Sequence, residues 1–401
     1  MKVGWVAKSL GEVLLKTETF NPAITPDKEF DYIDVSSVSN ESYEVEETQR
    51  LKGRDAPSRA RRLVKTGDVI FATIRPTLKR IARVPVELDG QICSTGYFVM
   101  RPSAEIDEQY LFYSLFTDEF MSSMEALQKG ASYPAVTDAE VRAQRLRYPP
   151  RPEQRRIVTL LDEAFADIAT AKANAEKNLQ NARELANELS AQILSAPSAN
   201  CTIQSLEEIV EADCSLSYGI VQPGDEFESG LPIVRPVNLD RQLIELGGLK
   251  RIDPTLAKGY ERTKLKGGEV LLCVRGTTGT LSCASSALAG ANVTRGIVPI
   301  RFNPQSVSQE LGYFLMRSAP VQAQIRAKTY GTALMQINIR DLRQIQIPVP
   351  HPSQQAAIAK ALQDAEEQTN RLTEIQGQKL TALEDLKKSL LHHAFSGQLS
   401  Q

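Results

Sequence analysis

The sequence predicts an α+β protein. Two mixed α/β globular domains are separated by two long helices packed as an antiparallel coiled coil, and the whole forms a pseudo-twofold internal repeat of about 201 residues. Three observations lead there. First, Pro152–Ser195 runs without Gly or a further Pro, and carries apolar or small residues at alternating spacings of four and three, interrupted only by Asn178: Ile157, Leu161, Ala164, Ile168, Ala171, Ala175, Ala182, Leu185 and Leu189. A 3.5-residue repeat held this long marks a helix lying along another helix. Second, adding 201 turns Ile157, Leu161, Ala164, Leu185 and Leu189 into Ile358, Leu362, Ala365, Leu386 and Leu390. Third, the match extends outside the helices, which marks duplication of a whole module within 401 residues.

Residues 1–150 form the first globule. Val13–Leu15, Tyr32–Val35, Val69–Ile74 and Tyr97–Arg101 are short β-prone runs bounded by turn residues, and Asp107–Leu127 reads as one helix. From Arg50 to Lys65 lie seven basic residues, Arg54, Arg59, Arg61 and Arg62 among them, against the single acid Asp55. Two readings fit that segment alone: a footprint for phosphates, or a solvated basic loop. A turn and strand then lead to Arg75-Pro76-Thr77-Leu78-Lys79-Arg80. Arg75, Thr77, Lys79 and Arg80 on a loop held by a strand can reach base edges and phosphates. Lys129, Ser132 and Tyr133 follow the helix as further candidates.

Residues 151–196 are the first long helix, roughly 65 Å at 1.5 Å per residue, longer than a compact core needs. Pro152 suits its first turn and Pro197 its stop. A second seam of Phe165, Leu179, Ala186 and Ile193 widens its apolar stripe.

Residues 197–350 repeat the first globule with different surface chemistry. Arg275-Gly276-Thr277-Thr278-Gly279-Thr280 replaces the basic loop, and Thr294-Arg295-Gly296 matches Ser94-Thr95-Gly96. Ser308–Ala327 matches the Asp107–Leu127 helix, and Tyr330-Gly331-Thr332 matches Lys129-Gly130-Ala131. The candidates here are Arg275, Thr277, Thr278, Arg295, Lys328, Tyr330 and Thr332. Scaffold positions persist while exposed loops differ, as expected when one fold recognises two different things.

Residues 351–401 are the second long helix. Glu367–Arg371 and Glu384–Lys388 are i,i+4 pairs in the favoured orientation. The helix–helix or subunit interface is expected at Ile157, Leu161, Ile168, Leu185, Leu189, Ile358, Leu362, Leu372, Leu383 and Leu390. Antiparallel packing should bring Leu161 to Leu390 and Leu189 to Leu362, with one globule at each end of a helical rod.

The net charge of −2 says little about partners. Five cysteines with no C-x-x-C pair, no signal peptide and no apolar run of membrane-span length predict free thiols in a cytoplasmic protein that makes no membrane contact. There is no Walker A, no G-x-G-x-x-G, no Cys/His cluster with metal spacing, and no nuclease-like Pro-Asp…Glu-x-Lys spacing. No catalytic or metal-binding residue is therefore assigned, and a self-contained DNA enzyme is disfavoured.

Motifs narrow the reading further. Pro149-Pro150-Arg151-Pro152-Glu153-Gln154-Arg155-Arg156-Ile157 precedes the first long helix, and Pro350-His351-Pro352-Ser353-Gln354-Gln355 the second. Lys387-Lys388-Ser389-Leu390-Leu391 and Ala394-Phe395-Ser396-Gly397-Gln398-Leu399 close the chain. Gly67-Asp68-Val69-Ile70-Phe71, Arg75-Pro76 and Ser94-Thr95-Gly96-Tyr97 lie in the first globule. In this order and duplicated, they resemble the specificity subunit of type I restriction–modification systems over essentially the whole chain. Ser353-Gln354 departs from the family, which usually places an acid before the Gln.

The resemblance implies two target-recognition domains, each reading one half of a bipartite asymmetric site in double-stranded DNA. It implies helices that set the gap and dock two modification (methyltransferase) subunits, with restriction (nuclease/translocase) subunits completing the complex. The chain itself would be non-catalytic and hold no cofactor. S-adenosylmethionine, ATP and Mg are expected in the partner subunits. The alternative is a protein-only coiled-coil scaffold without sequence-specific DNA recognition.

Overall fold

A computed structural model describes residues 4–195, 201–332 and 334–399, apart from the side chains at 186 and 193–195. The expected stop at Pro197, the boundary at 196/197 and the side chains of Ala186 and Ile193 lie outside the described residues. The chain forms two units, Met1–Lys177 with Gln376–Gln401, and Asn178–Ile375. Each long helix thus contributes one stretch to each unit.

In the first unit the apolar run Val69–Ala72 is buried along its whole length. It lies between Tyr97–Pro102 and Ile81–Arg83, with Val69 opposite both Met100 and Arg83. Leu14–Leu15 completes this four-stranded sheet at the edge beside Tyr97–Pro102. A second sheet pairs Glu29–Ile33 with Gln49–Lys52 antiparallel and with Ile92–Ser94 in parallel, and Ala60–Leu63 adds the last strand. The basic segment is therefore no flexible loop, because two of its stretches are strands.

The second unit repeats the frame in the same register. Val270–Cys273 lies between Ile297–Ile300 and Leu281–Ala284, with Val270 opposite Ile300 and Cys283. Leu231–Val234 pairs antiparallel with Lys250–Ile252 and in parallel with Asn292–Val293. The edges differ. Among the described residues the strand Ala60–Leu63 occurs in the first unit alone, and Leu243–Ile244, parallel to Leu281–Ala284, in the second.

The single helix expected over Asp107–Leu127 is two, Glu108–Ser114 and Asp118–Leu127. Asp107 accepts from two backbone N–H groups to start the first, and the Thr117 hydroxyl accepts from Phe120 N to restart the second. Short polar side chains compete for backbone partners and so favour caps over helix interiors. The copy breaks at the same place into Gln309–Arg317 and Ala319–Ala327, with Pro320 in the new first turn.

The long helices span Arg151–Ser195 and Pro352–Ser396, 45 residues each. The repeated glutamine in the first turn of each explains its motif. Gln154 is buried; its Oε1 accepts from Asp107 N at 2.9 Å, and its Nε2 donates to the carbonyls of Glu105 and Pro149, each at 2.9 Å. Gln355 Nε2 donates to Ser306 O at 2.7 Å and Pro350 O at 3.0 Å. Each glutamine fastens a helix start to the loop before the globule's own helices.

Within the first unit the helical stretches run antiparallel. Arg156 donates to Leu399 O at 2.5 Å, and further along Lys172 Nζ meets Glu384 Oε1 at 2.9 Å. Ile157, Leu161, Leu391 and Ala394 enter the core with Phe71, Phe98 and Tyr110, and Leu390 packs against the same cluster as Leu161. In the second unit Leu362 joins the core of Leu311, Leu315 and Phe302, with Ile358 half-buried beside it.

The remaining seam differs from expectation. Leu161, Ile168, Ala175 and Ala182 are buried at seven-residue intervals, and Leu383 is half-buried. Leu185 is 53% exposed, Leu189 37% and Leu372 45%. A nearly straight helix drifts about 20° per heptad against a 3.5-residue repeat. The row that starts buried at Ile157 has rotated outward by Leu185. Glu384 pairs across the helices with Lys172, and Lys388 approaches Asp385 at 3.9 Å. The intrahelical Glu384–Lys388 pair is therefore not formed.

Candidate nucleic-acid interface

Two loops in each globule are stitched together by backbone. In the first, bridges join Ile74 to Ala135 and Lys129 to Ala135, which sets Arg75 beside Ser132 and Tyr133. Arg75 N donates to Pro134 O at 2.6 Å, its Nη2 donates to Ser132 O at 3.3 Å, and its guanidinium lies 5.1 Å from the Tyr133 ring centroid. Tyr133 is 72% exposed, so the pair stands at the surface. Thr77 is exposed and Lys79 half-exposed on the same loop.

Several sequence candidates are engaged elsewhere. Arg80 Nη1 donates to the carbonyls of Ser36 and Val38, tying its loop to the next one. Arg54 pairs with Asp27, and Arg62 with Asp138 at 2.8 Å. Arg61 folds back onto Ala60 O at 2.7 Å. Lys129 pairs with Glu140 at 3.0 Å. The Glu140 carboxyl is held down to about 2, first by the Thr137 backbone N–H and then by the Lys129 ammonium. Arg59 is exposed, and its carbonyl accepts from Thr95 N at 2.8 Å. The charge of the Arg50–Lys65 segment is thus largely matched by acids in the fold, Arg50 pairing with Asp31 at 2.8 Å and Lys65 with Glu18 at 3.6 Å.

The second globule builds the same frame with other side chains. Bridges join Arg275 to Gln336 and Tyr330 to Gln336, and Ile220 to Thr294. Arg275 is half-buried, Arg295 and Thr277 are exposed, and Tyr330 is exposed. Thr278 keeps a buried hydroxyl without a hydrogen-bond partner. Lys328 is half-buried at the end of its helix, and Thr332 is exposed in the loop after it.

Tyr218 belongs to this cluster, and sequence reading missed it. Its hydroxyl donates to Ile337 O at 3.1 Å. Burial pushes its phenol up; Tyr330 adds to that, and the charges of Arg295 and Arg275 pull the other way. The available signal was Gly219 beside it. A Cβ there would meet Val293 O at 2.0 Å, so the Tyr218 turn lies tightly on the strand leading to Arg295.

Among the described residues no group of His, Cys, Asp and Glu could hold a metal ion, and no helix is long and apolar enough to cross a membrane. All five cysteines are unpaired. The surface offers arginine, threonine and tyrosine on rigid loops, a chemistry of recognition by hydrogen bond and stacking.

The comparisons agree with that geometry. Residues 2–179 and 233–382 match the family model described as type I restriction modification DNA specificity domain. A stretch of 195 residues, 49% of the chain, is 22% identical to the type I restriction enzyme EcoBI specificity subunit of Escherichia coli. A stretch of 133 residues, 32% of the chain, is 28% identical to the HindI specificity subunit of Haemophilus influenzae. These matches span 41% and 28% of those relatives' own lengths. A solved structure described as the basis of complex assembly and conformational transition of the type I R-M system is 28% identical, with a TM-score of 0.86 over 98% of both chains. The HsdS subunit from Thermoanaerobacter tengcongensis is 27% identical, with a TM-score of 0.68 over 100% of this chain and 98% of that one. With the family model covering well over half of its length, and the sheet register, broken helix and helix-start glutamine each occurring twice, the chain belongs to the type I restriction–modification specificity subunits.

Proposed function

We propose that this chain reads DNA sequence for a type I restriction–modification complex, each globule recognising one half of a bipartite, asymmetric site. The observation that carries this is the repeated frame with unlike loops. Arg75, Ser132 and Tyr133 gather at the loops of one copy, and Arg275, Arg295, Tyr218 and Tyr330 at the loops of the other. One scaffold with two loop chemistries reads two different half-sites. Good side-chain contacts to base edges discriminate by about 1–3 kcal/mol each.

On this reading the long helices set the spacing between half-sites and dock two modification subunits. Those subunits carry S-adenosylmethionine and the methyl transfer; restriction subunits carry ATP- and Mg-dependent translocation and cleavage. The chain is a reader and a ruler, with no chemical step of its own. The exposed Leu185, Leu189 and Leu372 are apolar surface on the helices, available to such partners.

The test is a map of modified adenines in DNA exposed to the modification subunits with and without this chain. The reading requires a single bipartite motif that appears only with the chain. Modification that is independent of the chain would overturn it.

A further inference from the structure

Among the described residues four that are not glycine hold the left-handed backbone conformation: Tyr43 at φ 59°, Arg75 at 49°, Lys79 at 54° and Leu216 at 44°. That conformation costs a side-chain-bearing residue about 1–2 kcal/mol. Packing accounts for two of them. Leu216 is buried in the core of the second globule, and Tyr43 meets the Phe116 ring edge-on at 4.6 Å. Burial in a core does not account for the others. Arg75 is exposed, Lys79 is half-exposed, and among the described residues neither forms an ion pair.

The duplicated loop shows what the fold itself requires there. Gly276 at φ 91° and Gly279 at φ 96° occupy the corresponding places in the second globule. Glycine adopts this conformation freely. The first globule instead places Arg75 and Lys79 at the two positions where a side chain is most costly. Strain that the fold does not need is characteristic of a functional site.

Resting on the DNA-reading function above, we propose that Arg75 is a specificity-determining residue that reads a guanine in one half-site, and that Lys79 contacts an adjoining phosphate. The arginine is pre-organised for this. Its backbone N is fixed to Pro134 O, one guanidinium nitrogen to Ser132 O, and its face to Tyr133. The remaining N–H donors stay free to form the bidentate fork that matches guanine O6 and N7. Arg80, two carbonyls deep in its own scaffold, cannot do this without releasing its loop. Lys79 carries three donors and a charge on a flexible stem, which suits a phosphate better than a base. Among the described residues of the second globule no such strained pair occurs, so this determinant is assigned to the half-site that the first globule reads.

The experiment uses the full chain in complex with its modification subunits. It measures melting temperature and affinity for duplexes carrying the mapped site, with every base of each half varied in turn. Arg75→Gly and Arg75→Asn both tolerate the left-handed conformation. They should melt no lower than the parent, up to about 3 °C higher. They should bind the site roughly 5- to 150-fold more weakly and lose discrimination at one G·C pair of one half. Arg75→Lys should recover part of the affinity and none of that discrimination. Lys79→Gly should weaken binding to every site alike and reduce the salt dependence by about one released ion. Wild-type affinity and base preference in Arg75→Gly would overturn the proposal and leave the DNA-reading function standing. So would a melting temperature several degrees lower, which would make Arg75 a structural residue. A parent complex with no sequence preference would overturn both.

Discussion

Lys172 Nζ lies 2.9 Å from Glu384 Oε1, joining two residues 212 positions apart on antiparallel helices. Both side chains are about half exposed, which limits the pair to about 0.2–1 kcal/mol. Lys172→Glu and Glu384→Lys should each destabilise the first unit, and the double reversal should restore most of the loss. A double-mutant cycle in denaturant melts, at low and high salt, measures this. A coupling energy of zero at low salt would mean that this pair contributes nothing to the helix packing.

Gln154 should be the more sensitive of the two helix-start glutamines. It satisfies three backbone groups where Gln355 satisfies two, and it is fully buried. Unmade hydrogen bonds at buried groups cost about 1–3 kcal/mol. Gln154→Ala should therefore lower stability by about 2–4 kcal/mol, and Gln355→Ala by less. Equal effects from the two substitutions would show that burial and bond count do not govern this junction.

Acid should erode both globules. The Glu140 carboxyl is held down to about 2 by Thr137 and Lys129, and that of Asp213 to about 2 by Lys266 and Arg301. A carboxylate depressed on folding stabilises the folded state above its unfolded value, near 4. That contribution fades as pH falls from about 4 toward 2. Glu140→Gln and Asp213→Asn should each flatten the acid limb of a melting-temperature profile and leave its slope above pH 6 unchanged.

Thiol chemistry should report burial directly. Burial pushes the Cys93 and Cys283 thiols up to about 12; Cys93, Cys214 and Cys273 are buried and Cys283 is half-buried. Cys201 is exposed. A thiol reagent at pH 8 should titrate one cysteine quickly in the folded chain and all five in denaturant. Fast reaction of several thiols in the folded chain would contradict the core described above.

Much of the fold was legible because it is written twice. The offset of 201 alone locates the second helix and both glutamine motifs. The rotation of Leu185, Leu189 and Leu372 out of the seam was not legible, because a periodicity gives spacing and not the accumulated twist of a straight helix. The break at Thr117 was hidden by apolar residues that continue on one side of both short helices. The interface was read less well than the fold. Arg54 and Arg62 look available in sequence, but Asp27 and Asp138, which neutralise them, are far away along the chain. Tyr218 was missed for the converse reason, since its neighbours Arg275, Arg295 and Tyr330 come from three other segments.

The central claim is that each globule reads its own half of the site. The most direct measurement is a map of modified adenines produced by complexes carrying the parent chain, Arg75→Gly or Arg275→Ala. The account predicts that Arg75→Gly relaxes base preference in one half only, that Arg275→Ala relaxes it in the other half only, and that the spacer is unchanged in both. A substitution in either globule that relaxed both halves equally would contradict it.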